Sequence, residues 1–280
     1  MFLKEFIKLT RFEHAIMLAF AVLIAETIVL GSLPLVSPII ILSLLVPIFS
    51  EMGSFALNDY FDIETDRLNK AKNRPLVDGT ITKEFALYFS ILSLIASVVF
   101  AYYINYIVFA IVILFNLFAI LYNWKLKDLP LLGNVYIALT MAIPFIFGNF
   151  VVSNSLSLLA IILALLGFVA GLAREIIKSI QDMEGDRKAR KSKTLPIVIG
   201  KQPALLIAAI LYILFIPLSA APFLVGLTMS IIPGTLIVIA DIIILLICYK
   251  AINNKLKFAR DASLVSFLLG MSGLFLAILL

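Results

Sequence analysis

The chain has 280 residues, 63% of them hydrophobic and only 14% charged, with a mean hydropathy of +1.14 and a formal net charge of +5. A water-soluble domain of this length has no way to hide so much apolar surface, so the composition indicates a polytopic protein of the lipid bilayer. The basic excess falls into a few clusters that membrane orientation explains, which gives no case for nucleic-acid binding, and the lone Cys248 excludes a disulfide framework.

Residues 1–11 alternate charged and apolar side chains and lack a small-residue cleavage site, so no removable signal peptide is read there. Nine segments each carry the roughly 20 mostly apolar residues that a spanning helix needs. They are 12–31, 37–61, 83–102, 105–123, 130–151, 156–181, 202–222, 229–250 and 260–280. Gly31, Ser32, Pro34 and Pro38 mark the first turn, 153–157 a later one, and 222–230 another. The expected fold class is all-α: one transmembrane domain over 1–280, with nine helices around a central cavity.

The basic residues test this count. Lys4, Lys8 and Arg11 precede the first span, and Arg67, Lys70, Lys72, Arg74 and Lys83 fall between the second and third. Lys125 and Lys127 follow the fourth span, and Arg187, Lys188, Arg190, Lys191, Lys193 and Lys201 follow the sixth. Lys250, Lys255, Lys257 and Arg260 follow the eighth, while Arg174 and Lys178 lie in the last turns of the sixth. The alternate connections carry none. This alternation predicts a cytoplasmic N-terminus, an external C-terminus and a cytoplasmic face for the ends of the second and sixth spans.

Those two ends carry similar acidic stretches. The first reads Asn58-Asp59-Tyr60-Phe61-Asp62-Ile63-Glu64-Thr65-Asp66-Arg67 and the second Asp182-Met183-Glu184-Gly185-Asp186-Arg187. They stand about 120 residues apart, a period of four spans, consistent with a duplication of spans 1–4 as 5–8 plus a ninth. On a helix, residues four apart stack along one face, so Asn58, Asp62 and Asp66 form one column and Asp182 and Asp186 another. A lone carboxylate column near lipid repels itself, whereas facing columns with Mg2+ between them are neutralised. Mg2+ takes oxygen ligands and commonly bridges carboxylates to phosphate. Arg67, Arg74, Arg174, Lys178, Arg187, Lys191 and Lys193 supply cations suited to a diphosphate.

Asn58-Asp59-x-x-Asp62-x-x-x-Asp66 with downstream Asn73-Arg74-Pro75-Leu76 resembles the first motif of the UbiA superfamily of intramembrane prenyltransferases, and Asp182-x-x-x-Asp186 resembles the second. The resemblance covers essentially the whole chain. It implies a polyprenyl diphosphate bound through two Mg2+ ions, with its tail in an apolar tunnel open to lipid. Asn58, Asp62 and Asp66 carry over as ligands of one metal or its water, and Asp182 and Asp186 as ligands of the other. Tyr122 with Lys125 or Lys127 resembles the family's Tyr…Lys element near the diphosphate.

The implied chemistry is ionisation: cations neutralise the leaving diphosphate, the C–O bond breaks, and dry walls protect an allylic carbocation until the acceptor attacks. Asp59, Glu64 or the released diphosphate takes the acceptor's proton. The segment Arg174–Asp186 is similar to the archaeal ether-lipid branch, which implies transfer of geranylgeranyl from geranylgeranyl diphosphate to geranylgeranylglyceryl phosphate. The rival within the family is an aromatic acceptor of quinone synthesis, 4-hydroxybenzoate or a naphthoate. Outside the family, a cation-coupled transporter would place its acids near the bilayer midplane rather than at span ends. A membrane phosphotransferase would pack an Asp-Gly…Ala-Arg pattern into one motif, which this chain lacks.

Other polar residues have structural readings beside functional ones. His14 has no partner in the sequence pattern that marks a metal site, and its functional reading is acceptor binding near the cytoplasmic mouth. Glu51 lies two turns before Asn58 on a similar face, placed to meet the acceptor or a neighbouring helix. Glu26 and Asp241 are expected to form inter-helix hydrogen bonds.

Overall fold

The computed structural model describes residues 2–68, 74–189 and 192–280. Among them nine helices are long and apolar enough to cross a membrane. The elements are α1 (Phe2–Thr10), α2 (Phe12–Leu30), α3 (Pro38–Leu68), α4 (Lys83–Tyr102), α5 (Tyr106–Trp124), α6 (Leu132–Val152), α7 (Leu158–Ala189), α8 (Leu195–Ile199), α9 (Lys201–Ser219), α10 (Ala221–Leu224), α11 (Ile231–Ile252) and α12 (Leu256–Leu279). A short 3-10 turn, Leu126–Asp128, follows α5. The nine expected spans are all present.

Three boundaries differ from expectation. α3 runs to Leu68 and α7 to Ala189, about two turns past the predicted ends at 61 and 181, and α12 starts at Leu256 rather than 260. Hydropathy falls where charges begin, but the backbone needs no apolar residue to continue. Acidic and basic side chains tolerate a helix, and Glu64 and Arg67 form an i,i+3 pair. Arg67 and Arg187 therefore stand on helices rather than in loops. A fourth unpredicted feature is α1 itself, where the alternating segment 2–10 winds into a helix with Leu9 and Thr10 buried.

Local signals set several ends. Thr82 caps α4 by accepting from the Phe85 amide at 3.2 Å, and Asn105 caps α5 by accepting from Val108 at 2.9 Å. Asn149 fixes the predicted 153–157 turn, donating to the Ser155 carbonyl and accepting from the Ser157 amide. Tyr102, Tyr103 and Tyr106 are exposed at one end of α4 and α5 and Trp124 at the other, the placement of interfacial aromatic belts.

The chain divides into two compact units. The first comprises Met1–Phe20, Leu35–Asp128 and Gly185–Ser192. Its apolar cluster joins Leu9 of α1 to Ala56 of α3, Leu76 and Ile81 of the following loop, and Ala86 of α4. Phe6 packs edge-on against Phe85 and Phe89. α3 and α4 cross closely at Gly53, where a Cβ would lie 3.0 Å from Ser93 Cβ and 3.1 Å from the Ser90 carbonyl oxygen. Small residues at such crossings let membrane helices approach without a hydrophobic driving force. Asn116 of α5 ties the same bundle by accepting from Ser50 at 2.7 Å and donating to Ser97 at 2.9 Å.

The second unit comprises Ala21–Pro34, Leu129–Glu184 and Lys193–Leu280. Ala173, Ile176 and Ile177 of α7, Tyr212 of α9 and Ile244 and Ile247 of α11 form its core. α6 and α7 meet at Gly167, where a Cβ would lie 2.4 Å from the Met141 carbonyl oxygen. Ser219 of α9 donates to Asp241 of α11 at 2.9 Å, the inter-helix bond expected of Asp241. Glu26 is fully buried.

Candidate active site

The last three turns of α3 carry the first acidic column, and each member meets a neighbour within the first unit. Asn58 donates its amide to Asn123 Oδ1 on α5 at 2.9 Å, and Asn123 in turn donates to the Ala119 carbonyl at 3.0 Å. Asp62 is buried and paired with Lys127, which the turn after α5 brings back over the column. Asp66 is buried and takes Arg74 Nε at 3.1 Å. Arg74 sits where the chain turns back toward α4, the amides of Val77 and Asp78 bonding to its carbonyl.

Asp59 lies beside this column and is more deeply buried, its side chain 3% exposed. One oxygen, Oδ1, accepts from Arg11 Nη2 at 2.9 Å and Arg74 Nη1 at 2.5 Å. Arg11 also stacks over the Phe55 ring at 4.2 Å, and His14 approaches the same ring at 5.6 Å. Burial lowers the Arg11 pKa from its ordinary value, while the Asp59 carboxylate works against that shift. The three acids Asp59, Asp62 and Asp66 are thus set against the three cations Arg11, Lys127 and Arg74.

This geometry sorts the sequence expectations. Lys127 meets the acidic column while Lys125, exposed just past the end of α5, does not; Tyr122 is half-buried one residue before Asn123. Arg67 is exposed and pairs with Glu64 at 3.3 Å, away from Asp62 and Asp66. Glu64 is thus exposed and engaged by Arg67, and the Asp59 oxygen that two guanidiniums share is engaged as well. Glu51 is half-buried two turns before Asn58 on α3.

In the second unit, Lys178 pairs with Glu175 at 3.1 Å. Arg174 is half-buried, and its Nε has no hydrogen-bond partner among the described residues. Asp182 is exposed and Asp186 half-buried, one turn apart near the end of α7, and the boundary between the units falls between them. Arg187 and Lys193 are exposed. Lys70, Lys72, Asn73, Arg190 and Lys191 lie outside the described residues. Sequence reasoning missed Arg11 and Asn123 as site residues. The signal for Asn123 was available, an uncharged polar residue in an apolar run directly after Tyr122.

No three His, Cys, Asp or Glu side chains converge as a metal cage among the described residues. The oxygens of Asn58, Asp62 and Asp66 instead line one helix face. That arrangement suits Mg2+, which is usually held by one or two carboxylates and completed by substrate phosphate.

Known proteins share this architecture and sequence. The chain is 33% identical to digeranylgeranylglyceryl phosphate synthase of Archaeoglobus fulgidus, across 98% of this chain and 95% of that one. A solved structure concerned with digeranylgeranylglyceryl phosphate synthase in membranes superposes with a TM-score of 0.73 at 30% identity, covering 99% of this chain and 97% of that one. A UbiA homolog from Archaeoglobus fulgidus, solved with GPP and Mg2+, shares the fold at a TM-score of 0.68 and 23% identity, with 96% and 99% coverage. The pattern of the UbiA prenyltransferase family matches residues 15–279. An acidic helix face flanked by cations, on nine membrane-length helices matched from end to end, leaves one assignment: this chain belongs to the UbiA prenyltransferase family.

Proposed function

We propose that this enzyme transfers a geranylgeranyl group from geranylgeranyl diphosphate to the free hydroxyl of geranylgeranylglyceryl phosphate, giving digeranylgeranylglyceryl phosphate. The observation that carries the chemistry is the row of half-buried Asn58 and buried Asp62 and Asp66, with Lys127 and Arg74 seated on its carboxylates. The likeness to archaeal synthases over nearly the whole chain supports the acceptor.

In this reading Asn58, Asp62 and Asp66 would hold one Mg2+ ion and Asp182 and Asp186 a second, within one domain built as a pseudo-repeat of spans 1–4 and 5–8. Bound Mg2+ supplies charge neutralisation for the leaving diphosphate. Arg74 offers a planar donor fork to phosphate oxygens and Lys127 a point charge, both strengthened by a dry setting. Arg174 and Lys178 serve an anionic group, the diphosphate or the acceptor phosphate. Apolar walls exclude water while the C–O bond breaks and the allylic cation waits. The acceptor oxygen then attacks the allylic carbon, and its proton passes to the departing diphosphate. The site faces the cytoplasm, where the basic connections lie.

The test is an acceptor panel with radiolabelled geranylgeranyl diphosphate and purified protein. Label is expected in a dialkyl glyceryl phosphate. Label entering 4-hydroxybenzoate or a naphthoate instead reassigns the acceptor, and no diphosphate release with any acceptor ends the proposal.

A further inference from the structure

The contacts around Arg74 lead to a residue that the proposed chemistry leaves unused. Arg74 belongs to a loop, so no helical ladder orients it. Its guanidinium is instead held on two sides, by Asp66 at Nε (3.1 Å) and by Asp59 at Nη1 (2.5 Å). Asp59 is pinned in turn by Arg11 Nη2, 2.9 Å from the same Oδ1.

Arg11 stands between α1 and α2 with a left-handed backbone, φ 44°. Residues other than glycine seldom keep that conformation unless their surroundings fix it, and such positions gather at functional sites. Two residues earlier, Leu9 is fully buried in one cluster with Leu76, inside the turn that Arg74 opens, and Ile81, just after it. The segment 9–11 therefore reaches the Arg74 loop twice: by apolar packing at Leu9 and through Asp59 at Arg11.

We infer that Arg11 is a positioning residue for diphosphate recognition: it pins Asp59, Asp59 orients Arg74, and Arg74 meets the diphosphate already aligned. Two guanidiniums on one carboxylate oxygen repel each other, so this arrangement persists only because Asp59 lies between them and Asp66 draws Arg74 from its far side. A fixed guanidinium gives up less rotational freedom when it binds than one hanging from a free loop. What Arg74 meets rests on the proposed function; the coupling of Arg11 to the Arg74 loop rests on the contacts alone.

The test uses the full chain in lipid nanodiscs, with Arg11→Gln, Arg11→Lys, Arg11→Gly, Arg74→Ala and the Arg11→Gln/Arg74→Ala double variant. The readouts are KM and kcat for geranylgeranyl diphosphate, calorimetric binding of inorganic pyrophosphate with Mg2+, and hydrogen exchange of the amides in 74–82. Arg11→Gln is expected to raise KM and weaken pyrophosphate binding by about 10- to 100-fold, as loss of a supporting shell does. Arg11→Lys recovers part of that loss. Arg11→Gly loses as much affinity as Arg11→Gln but less thermal stability, since glycine suits the left-handed backbone. With Arg74 already removed, Arg11→Gln costs less than about a further twofold, because residues acting in one chain are not additive. The 74–82 amides exchange faster in Arg11→Gln. Multiplicative losses in the double variant, wild-type affinity in Arg11→Gly, or unchanged exchange would each overturn the inference. A wild-type protein that binds no pyrophosphate overturns the proposed function instead, while the exchange data still decide the clamp.

Discussion

The Lys127 ammonium rests against Asp62, and the two side chains are only 8% and 10% exposed. Taking away one member of a buried pair strands the other charge, at about 3–5 kcal/mol. Lys127→Met is therefore expected to lower the unfolding temperature in detergent by several degrees. Asp62→Asn in the same chain is expected to restore most of the loss. Both outcomes are read by thermal scanning of intrinsic fluorescence, and an unshifted single variant would show that the pair adds nothing to stability.

Removing a carboxylate from either acidic column should stop the reaction without unfolding the protein. Asp62→Ala, Asp66→Ala, Asp182→Ala and Asp186→Ala are each expected to cut transfer by about 1,000-fold, the scale of a lost transition-state charge contact. Product formation from labelled geranylgeranyl diphosphate measures the loss, and monodisperse elution from a sizing column checks the fold. Turnover near wild type in any one of the four removes that residue from the mechanism.

Chelation provides an independent check on the oxygen row. Excess EDTA is expected to abolish prenyl transfer, and added Mg2+ to restore it, since diphosphate departure needs its charge neutralised. Activity that survives the chelator would leave Arg74 and Lys127 as the chief cations of the reaction.

The glycine crossings predict a graded effect on stability. At Gly167 a Cβ would lie 2.4 Å from the Met141 carbonyl oxygen, a backbone atom that yields little, whereas a Cβ at Gly270 meets nothing within 4 Å. Gly167→Ala should destabilise the protein by about 1–3 kcal/mol, the usual cost of overpacking. Gly270→Ala should leave it unchanged or slightly firmer, because alanine is the better helix former. Parallel denaturation of the two variants compares them directly, and equal midpoints would contradict the close approach of α6 and α7.

Much of the architecture is legible because a bilayer imposes so plain a demand on sequence. Runs of about 20 apolar residues mark the spans, and the alternation of basic loops checks their number. The helix ends are less legible, since hydropathy reports the solvent and not the backbone; α3 and α7 continue through their charged turns. The acidic column is readable from spacing alone, yet its partners are not. Arg11 looks like one more orientation signal until the fold brings it to Asp59, 48 positions away. Lys125 and Lys127 are equivalent candidates in sequence, and the turn at Leu126–Asp128 separates them. Asn123 hides in an apolar helix because a single amide barely changes the average over a window.

The length of α3 has a consequence for where a substrate's charged head is held. Its 31 residues extend about 46 Å, more than the roughly 30 Å of hydrocarbon they must cross. The apolar stretch up to Leu57 uses up that thickness, so the rows of oxygen and nitrogen that follow stand level with the phospholipid heads. A prenyl diphosphate can then stay moored by its phosphates at the water's edge and dip only its chain inward. Its C–O bond breaks at that depth, and no ionic group has to cross oil.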